Sequence, residues 1–161
     1  MAFTGDAIIF PALLKLLDCL CTELQRSGLD NQCECILLHG AGTQVDQPAI
    51  GKGVAWVGLN SIFGSKNFPS PDGDIDTCSS PIAASVTVGV IRCYKLRESG
   101  ETRDEMIGYM DTQMADMAAM RRAILCCAQD GDVAVSLGTY SPIGPSGGAY
   151  GGSWSPTLGG I

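Results

Sequence analysis

The sequence predicts an α+β domain: a single, mostly antiparallel sheet flanked by two main helices and closed by a C-terminal β-hairpin. Three observations predict it. Apolar residues recur at helical spacing over about 9–27, a second helical stretch opens on a capping box and runs over about 102–128, and short apolar or alternating runs bounded by Gly and Pro fill the rest. The 161 residues show no internal repeat and no domain-scale linker, so residues 1–161 read as one domain large enough to bury its own core.

The first helix rests on Leu13, Leu17, Leu20 and Leu24, with Leu14, Leu16 and Cys21 beside them. Pro11 is tolerable only near its start, and Gly28 is the expected stop. Cys33 to Leu38 is a short apolar run ending at His39-Gly40, and reads as a strand. Residues 40–53 supply Gly, Pro and Gln without period and form a loop. A second strand region follows at Val54 to Leu59 with Ile62 and Phe63. Residues 64–81 carry Pro69, Pro71 and Pro81 and are expected to be a long irregular excursion. Ser85 to Leu96 alternates cleanly, with Val86, Val88 and Val90 on one face.

Thr102 and Glu105 form the capping box of the second helix. Ile107, Met110, Met114, Met117, Ile124 and Cys127 predict its core face, and Asp104, Asp111, Asp116 and Arg121 its wet side. Five of the six methionines fall here; core packing is the expected use, an adaptable binding surface the alternative. From Val133 onward no side chain is charged. Val133 to Ser141 and Ala149 to Leu158 read as two strands joined by residues 142–148, a hairpin whose free edge would invite aggregation unless it meets another chain.

Composition narrows the function. The chain is 45% hydrophobic and 17% charged, with a mean hydropathy of +0.18, and its net charge of −7 disfavours gripping nucleic-acid phosphates. Residues 1–6 lack the basic region of a secretory signal. No apolar run approaches the roughly 20 residues a bilayer needs, so the expected setting is a cytoplasm, without a membrane. In that reducing setting the eight cysteines are expected to be mostly buried free thiols. A zinc site built from Cys19, Cys21, Cys33 and Cys35 is disfavoured, because Cys19 and Cys21 point about 200° apart on a helix.

Catalytic fingerprints are incomplete. Gly51-Lys52-Gly53 resembles the end of a phosphate-binding loop, but Asp46 and Gly53 stand where that motif needs Gly and a hydroxyl residue. Asp72, Asp74 and Asp76 alternate as in a calcium loop, yet Thr77 and Ala83 occupy its required Gly and Glu positions. His39 is the only histidine, so a thiol hydrolase would have to pair it with Cys33 or Cys35, and no nucleophile motif or acidic orienter accompanies it. No catalytic residue, metal or cofactor is expected.

The back half carries a recognisable series: Phe68-Pro-Ser-Pro-Asp72, Cys78, the strand Val86 to Cys93, Asp116 to Cys127, and Tyr140-Ser-Pro-Ile-Gly-Pro-Ser-Gly-Gly148 followed by Gly151-Gly-Ser-Trp154. Together, over roughly residues 54–158, these resemble head-to-tail connector proteins of the tail terminator type from siphophages that infect actinobacteria. The resemblance implies a structural virion protein at the tail-neck junction, made in the host cytoplasm. It would form a hexameric ring that caps the tail tube, contacts the tail tube protein and presents a surface to the head-completion or stopper protein. DNA would pass through the ring without specific binding. A stopper or adaptor of the same neck is the alternative. Subunit or neighbour-ring contacts are expected from Phe68, Pro69, Pro71 and Asp72, and from Tyr140, Pro142, Gly144, Pro145, Gly147, Gly148, Tyr150 and Trp154. Phe68, Tyr150 and Trp154 are the expected aromatic anchors, with sheet core the equal alternative for Trp154.

Overall fold

The computed structural model describes residues 8–28, 33–40, 52–72, 81–129 and 133–159, with backbone alone for Cys33, His39 and 127–129. Helix α1 spans Ile9–Arg26 and α2 spans Arg103–Gln129. The strands are β1 Cys33–His39, β2 Gly53–Gly64, β3 Ile82–Cys93, β4 Ala134–Ser136, β5 Tyr140–Ser146, β6 Ala149–Trp154 and β7 Thr157–Gly159. They form one mixed sheet in the order β1-β2-β3-β6-β5, with β7 beside β3 and β4 beside β7. Among the described residues only the β1–β2 pair is parallel. The α+β class predicted from sequence is the one observed.

Local chemistry sets the element ends. Gly28 takes a positive φ and its amide bonds to Gln25 O, stopping α1. At α2 the capping box forms in both directions: the Thr102 amide donates to Glu105 Oε2 at 3.2 Å, and the Glu105 amide donates to Thr102 Oγ1 at 3.3 Å. β2 is continuous rather than two pieces, because a bulge between Leu59 and Ser61 absorbs the break in pattern. β3 lies three residues earlier than its alternation alone predicts, ending at Cys93 rather than Leu96.

The C-terminal hairpin also differs in register. Residues 142–146, expected to connect two strands, belong to β5, and the reversal is the two-residue turn Gly147-Gly148, both at positive φ. Two successive positive-φ positions suit a tight hairpin that only glycine enters without strain. The hairpin then bends at 137–139 and 155–156 so that β4 and β7 continue the pairing.

Both helices pack into one core. α1 lies on β1 and β2 and α2 on β3, β5 and β6, with the helices in mutual contact. Ile9, Leu13, Leu16, Leu20 and Leu24 of α1 meet Ala55 and Val57 of β2, Val86, Val88 and Val90 of β3, and Ala119, Met120, Ala123 and Ile124 of α2. The small Ala119 and Ala123 suit a close helix-helix approach. Glu23 of α1 receives hydrogen bonds from Arg26 and Arg122, which ties the C-terminal end of α1 to α2.

The cysteine expectation is corrected. Cys21 and Cys35 form a disulfide across the α1–β1 contact, with Cα atoms 6.3 Å apart, and Cys19 is also disulfide-bonded. Compartment suggested free thiols, whereas α1 lying against β1 sets these side chains within bonding range. Cys93 is free and buried, as expected, and Cys126 is free and exposed.

Candidate interaction surface

α2 follows the sequence expectation at Ile124, which is buried, and at Asp104, Asp111 and Arg121, which are exposed, and departs from it at Asp116, Ile107, Met110 and Met114. Asp116, assigned to the wet side, is 1% exposed, and Gln113 is buried beside it. Ile107 and Met110, assigned to the core, are 56% and 55% exposed, and Met106 and Met114 are exposed with them. The physical reason is that the inward polar groups find strong partners. Arg92 of β3 donates from Nε to Asp116 Oδ2 at 2.6 Å and from Nη2 to Oδ1 at 2.8 Å, a buried two-pronged ion pair. Gln113 Nε2 donates to Ile143 O at 3.0 Å and also to Gly151 O. With these bonds satisfied, the helix turns Gln113, Asp116, Ala119, Met120 and Ala123 inward. The Met106-Ile107-Met110-Met114 stripe is left on the outside.

The stripe adjoins an exposed strand. β5 has a sheet neighbour, β6, on one side alone among the described residues, and Ser141, Pro142, Ile143, Gly144 and Ser146 are all exposed. Gln113 ties α2 directly over Ile143. Pro142 and Pro145 withhold amide donors, which blunts the edge against strand addition. Gly147 is exposed and Gly148 is buried under Leu96. Thus Pro142, Gly144, Pro145 and Gly147 are placed together at one margin of the molecule with the α2 stripe, where the exposure of Ile107, Met110 and Met114 departs from the expected core packing and matches the alternative of an adaptable surface.

The proposed aromatic anchors sit further in. Tyr150 is 8% exposed and stacks against Tyr109 with ring centroids 4.9 Å apart, while Tyr109 lies equally close to Tyr94. Trp154 is half-buried, donates Nε1–H to Met117 O at 3.2 Å and packs on Tyr140 at 5.5 Å. Tyr140 covers Gly152, and its buried hydroxyl has no hydrogen-bond partner among the described residues. Burial, with Asp116 nearby as the lesser cause, pushes the Tyr140 phenol up to about 12. Burial likewise raises Tyr94 and Tyr150 above the ordinary phenol range.

Phe68, Pro69, Pro71 and Asp72 lie away from this margin. Phe68 precedes a cis peptide to Pro69, and its ring lies on the backbone of Gly159. The segment is closed by the Asp72 amide donating to Gly64 O at 2.8 Å, the Lys66 amide donating to the Asp72 carboxylate, and Ser65 Oγ donating to Ser70 O. Pro69 and Pro71 are exposed. Asp74, Asp76, Cys78 and the Gly51 position of the Gly51-Lys52-Gly53 run lie outside the described residues, as does the side chain of His39.

A second apolar feature lies at the other side of the sheet. Ile9, Phe10 and Leu13 of α1, Leu37 and Leu38 of β1, and Leu59 and Ile62 of β2 line a cavity of about 200 Å³ that is open on one side. Phe10 and Ile62, at 48% and 49% exposure, stand at its rim. Among the described residues no three His, Cys, Asp or Glu side chains converge as metal ligands, and no helix is long and apolar enough to cross a membrane. No family model and no curated protein sequence matches the chain.

Proposed function

We propose that this chain is a structural assembly protein of a phage neck, a tail terminator that forms a hexameric ring on the tail tube and joins it to the head-completion protein. The observation that carries this reading is the outward-facing apolar stripe of α2. A helix that buries Gln113 and Asp116 while exposing Met106, Ile107, Met110 and Met114 is shaped for contact with another protein. The blunted β5 beside it, and an uncharged chain from Val133 onward, suit the same use. The net charge of −7 fits a ring whose wall repels DNA passing through it. On this reading the protein acts by binding, without catalysis or a cofactor, in the virion and in the host cytoplasm during assembly.

Electron microscopy of lysates from a phage lacking the gene tests this. Full heads beside unattached tails of uncontrolled length are expected. Normal tails beside heads that leak DNA would move the protein to a stopper or adaptor position in the neck. Intact infectious particles would contradict both.

A further inference from the structure

We propose that the cleft between α1 and α2 is a thiol–disulfide exchange site, in which the free thiol of Cys126 attacks the disulfide-bonded sulfur of Cys19. The cleft encloses about 330 Å³, opens to solvent, and carries both cysteines on its wall, Cys19 from α1 and Cys126 from α2. Their oxidation states differ. Cys19 is held in a disulfide, whereas Cys126 is a free and exposed thiol. A nucleophile and its electrophile thus share one opening, the arrangement that exchange through attack of a thiolate on a disulfide requires. Cys93, the other free thiol among the described residues, is buried at the end of β3, and burial pushes its thiol up, away from the reactive thiolate. The site owes nothing to the assembly reading and stands or falls apart from it.

Helix geometry brings the two sulfurs to the same place. Residues four apart share a helix face, so Cys19 lies one turn before Glu23 on α1 and Cys126 one turn after Arg122 on α2. Arg122 Nε donates to Glu23 Oε2 at 2.9 Å, which pins these two faces together beside the cleft. The buried Ala119 and Ala123 put no large side chain between the helices. Cys21, bonded to Cys35 of β1, lies about 200° around α1 from Cys19 and outside the cleft wall, so Cys19 is the sulfur presented to Cys126. Lys15 and Arg26 stand against Asp18 and Glu23 in the cleft, so a thiolate entering it meets no net negative charge. The step needs no outside oxidant. The Cys126 thiol gives its proton to solvent, its sulfur bonds to Cys19 Sγ, the sulfur–sulfur bond that Cys19 now holds breaks, and the displaced cysteine leaves as a thiolate that takes up a proton. One disulfide and one thiol stand on each side of the reaction. The product ties α1 to α2, while Cys21–Cys35 still ties α1 to β1.

Disulfide mapping of the full-length protein, purified without reductant, tests this. The protein is held under nitrogen with EDTA at about pH 8.5, where free thiols are substantially ionised, then quenched with acid, alkylated with N-ethylmaleimide, digested unreduced and mapped by tandem mass spectrometry. The expected result is a Cys19–Cys126 bridge beside the starting Cys19 bridge, reaching a constant ratio within minutes to hours at an unchanged number of free thiols. It should exceed any bridge from Cys126 to Cys21 or Cys35 by at least about tenfold, because sharing one cleft raises the local concentration of the pair. Cys126→Ser should abolish the bridge, and Cys127→Ser, at the next position, should keep it. Circular dichroism checks that each variant folds; if one does not, the wild-type map still decides. Absence of a Cys19–Cys126 bridge in the folded wild type overturns the proposal. So does a bridge that forms only as free thiols are lost, which is oxidation rather than exchange, or Cys126 joining Cys21 or Cys35 as readily as Cys19.

Discussion

Tyr140 illustrates how a single side chain can be legible by type and illegible by role. Its aromatic ring in an uncharged C-terminal stretch reads as a contact residue, but the ring lies over Gly152 and against Trp154, and its hydroxyl is buried with no partner among the described residues. Replacing an unpaired buried hydroxyl by hydrogen removes a desolvation cost. Tyr140→Phe should therefore hold or raise stability at neutral pH, by up to about 1 kcal/mol in urea unfolding. The phenol is raised from its ordinary value near 10 to about 12. The unfolded chain thus ionises first, so the neutral phenol's contribution is complete below about pH 10 and lost between about 10 and 12. Tyr140→Phe should lose less stability across that window than the wild type. Asp116 is the opposite case: its charge reads as wet, and only the position of Arg92 on β3 explains why it faces inward. Arg92→Ala would leave the buried Asp116 carboxylate without its ion-pair partner and should cost about 3–5 kcal/mol in urea unfolding.

At the scale of elements, the sequence carried helices, strands and the capping box well, because each depends on residues a few positions apart. Thr102 with Glu105, Gly28, and the Val86-Val88-Val90 alternation are all local signals, and all appear in the structure. What was not legible depends on distant partners. α2 carries two competing apolar stripes, and the Met-rich one looked like the core face until Arg92, Ile143 and Gly151 supplied bonds for the polar residues of the other. The spacing Met106-Met110-Met114, taken with Ala119 and Ala123 on a different face, was the signal available. The disulfide is a similar case, since Cys21 and Cys35 are 14 residues apart and meet only once α1 lies on β1. A loop of that length predicts about 3 kcal/mol of stabilisation. Because Cys19 keeps its own disulfide, replacing Cys21 and Cys35 together by Ser should lower urea stability by less than about that amount and leave the α2 stripe in place.

For the whole molecule, the sheet order carries the functional argument. β1 with α1 lies toward one edge of the sheet and β5 with the exposed face of α2 toward the other, so the apolar cavity and the α2 stripe are separated across the sheet. The candidate surface was partly legible: Pro142, Gly144, Pro145 and Gly147 lie at the exposed margin, whereas Tyr150 and Trp154 are held inside by Tyr109, Tyr140 and Met117. Sequence could not place the apolar cavity, because its lining comes from α1, β1 and β2 and its residues read as ordinary core. The central claim is that copies of this chain close into a ring, and native mass spectrometry of the purified full-length protein tests it most directly. The account predicts a discrete closed species near 100 kDa, six copies of a 16.8 kDa chain, with no ladder of larger polymers. A single peak at the mass of one chain, at all concentrations, would contradict it.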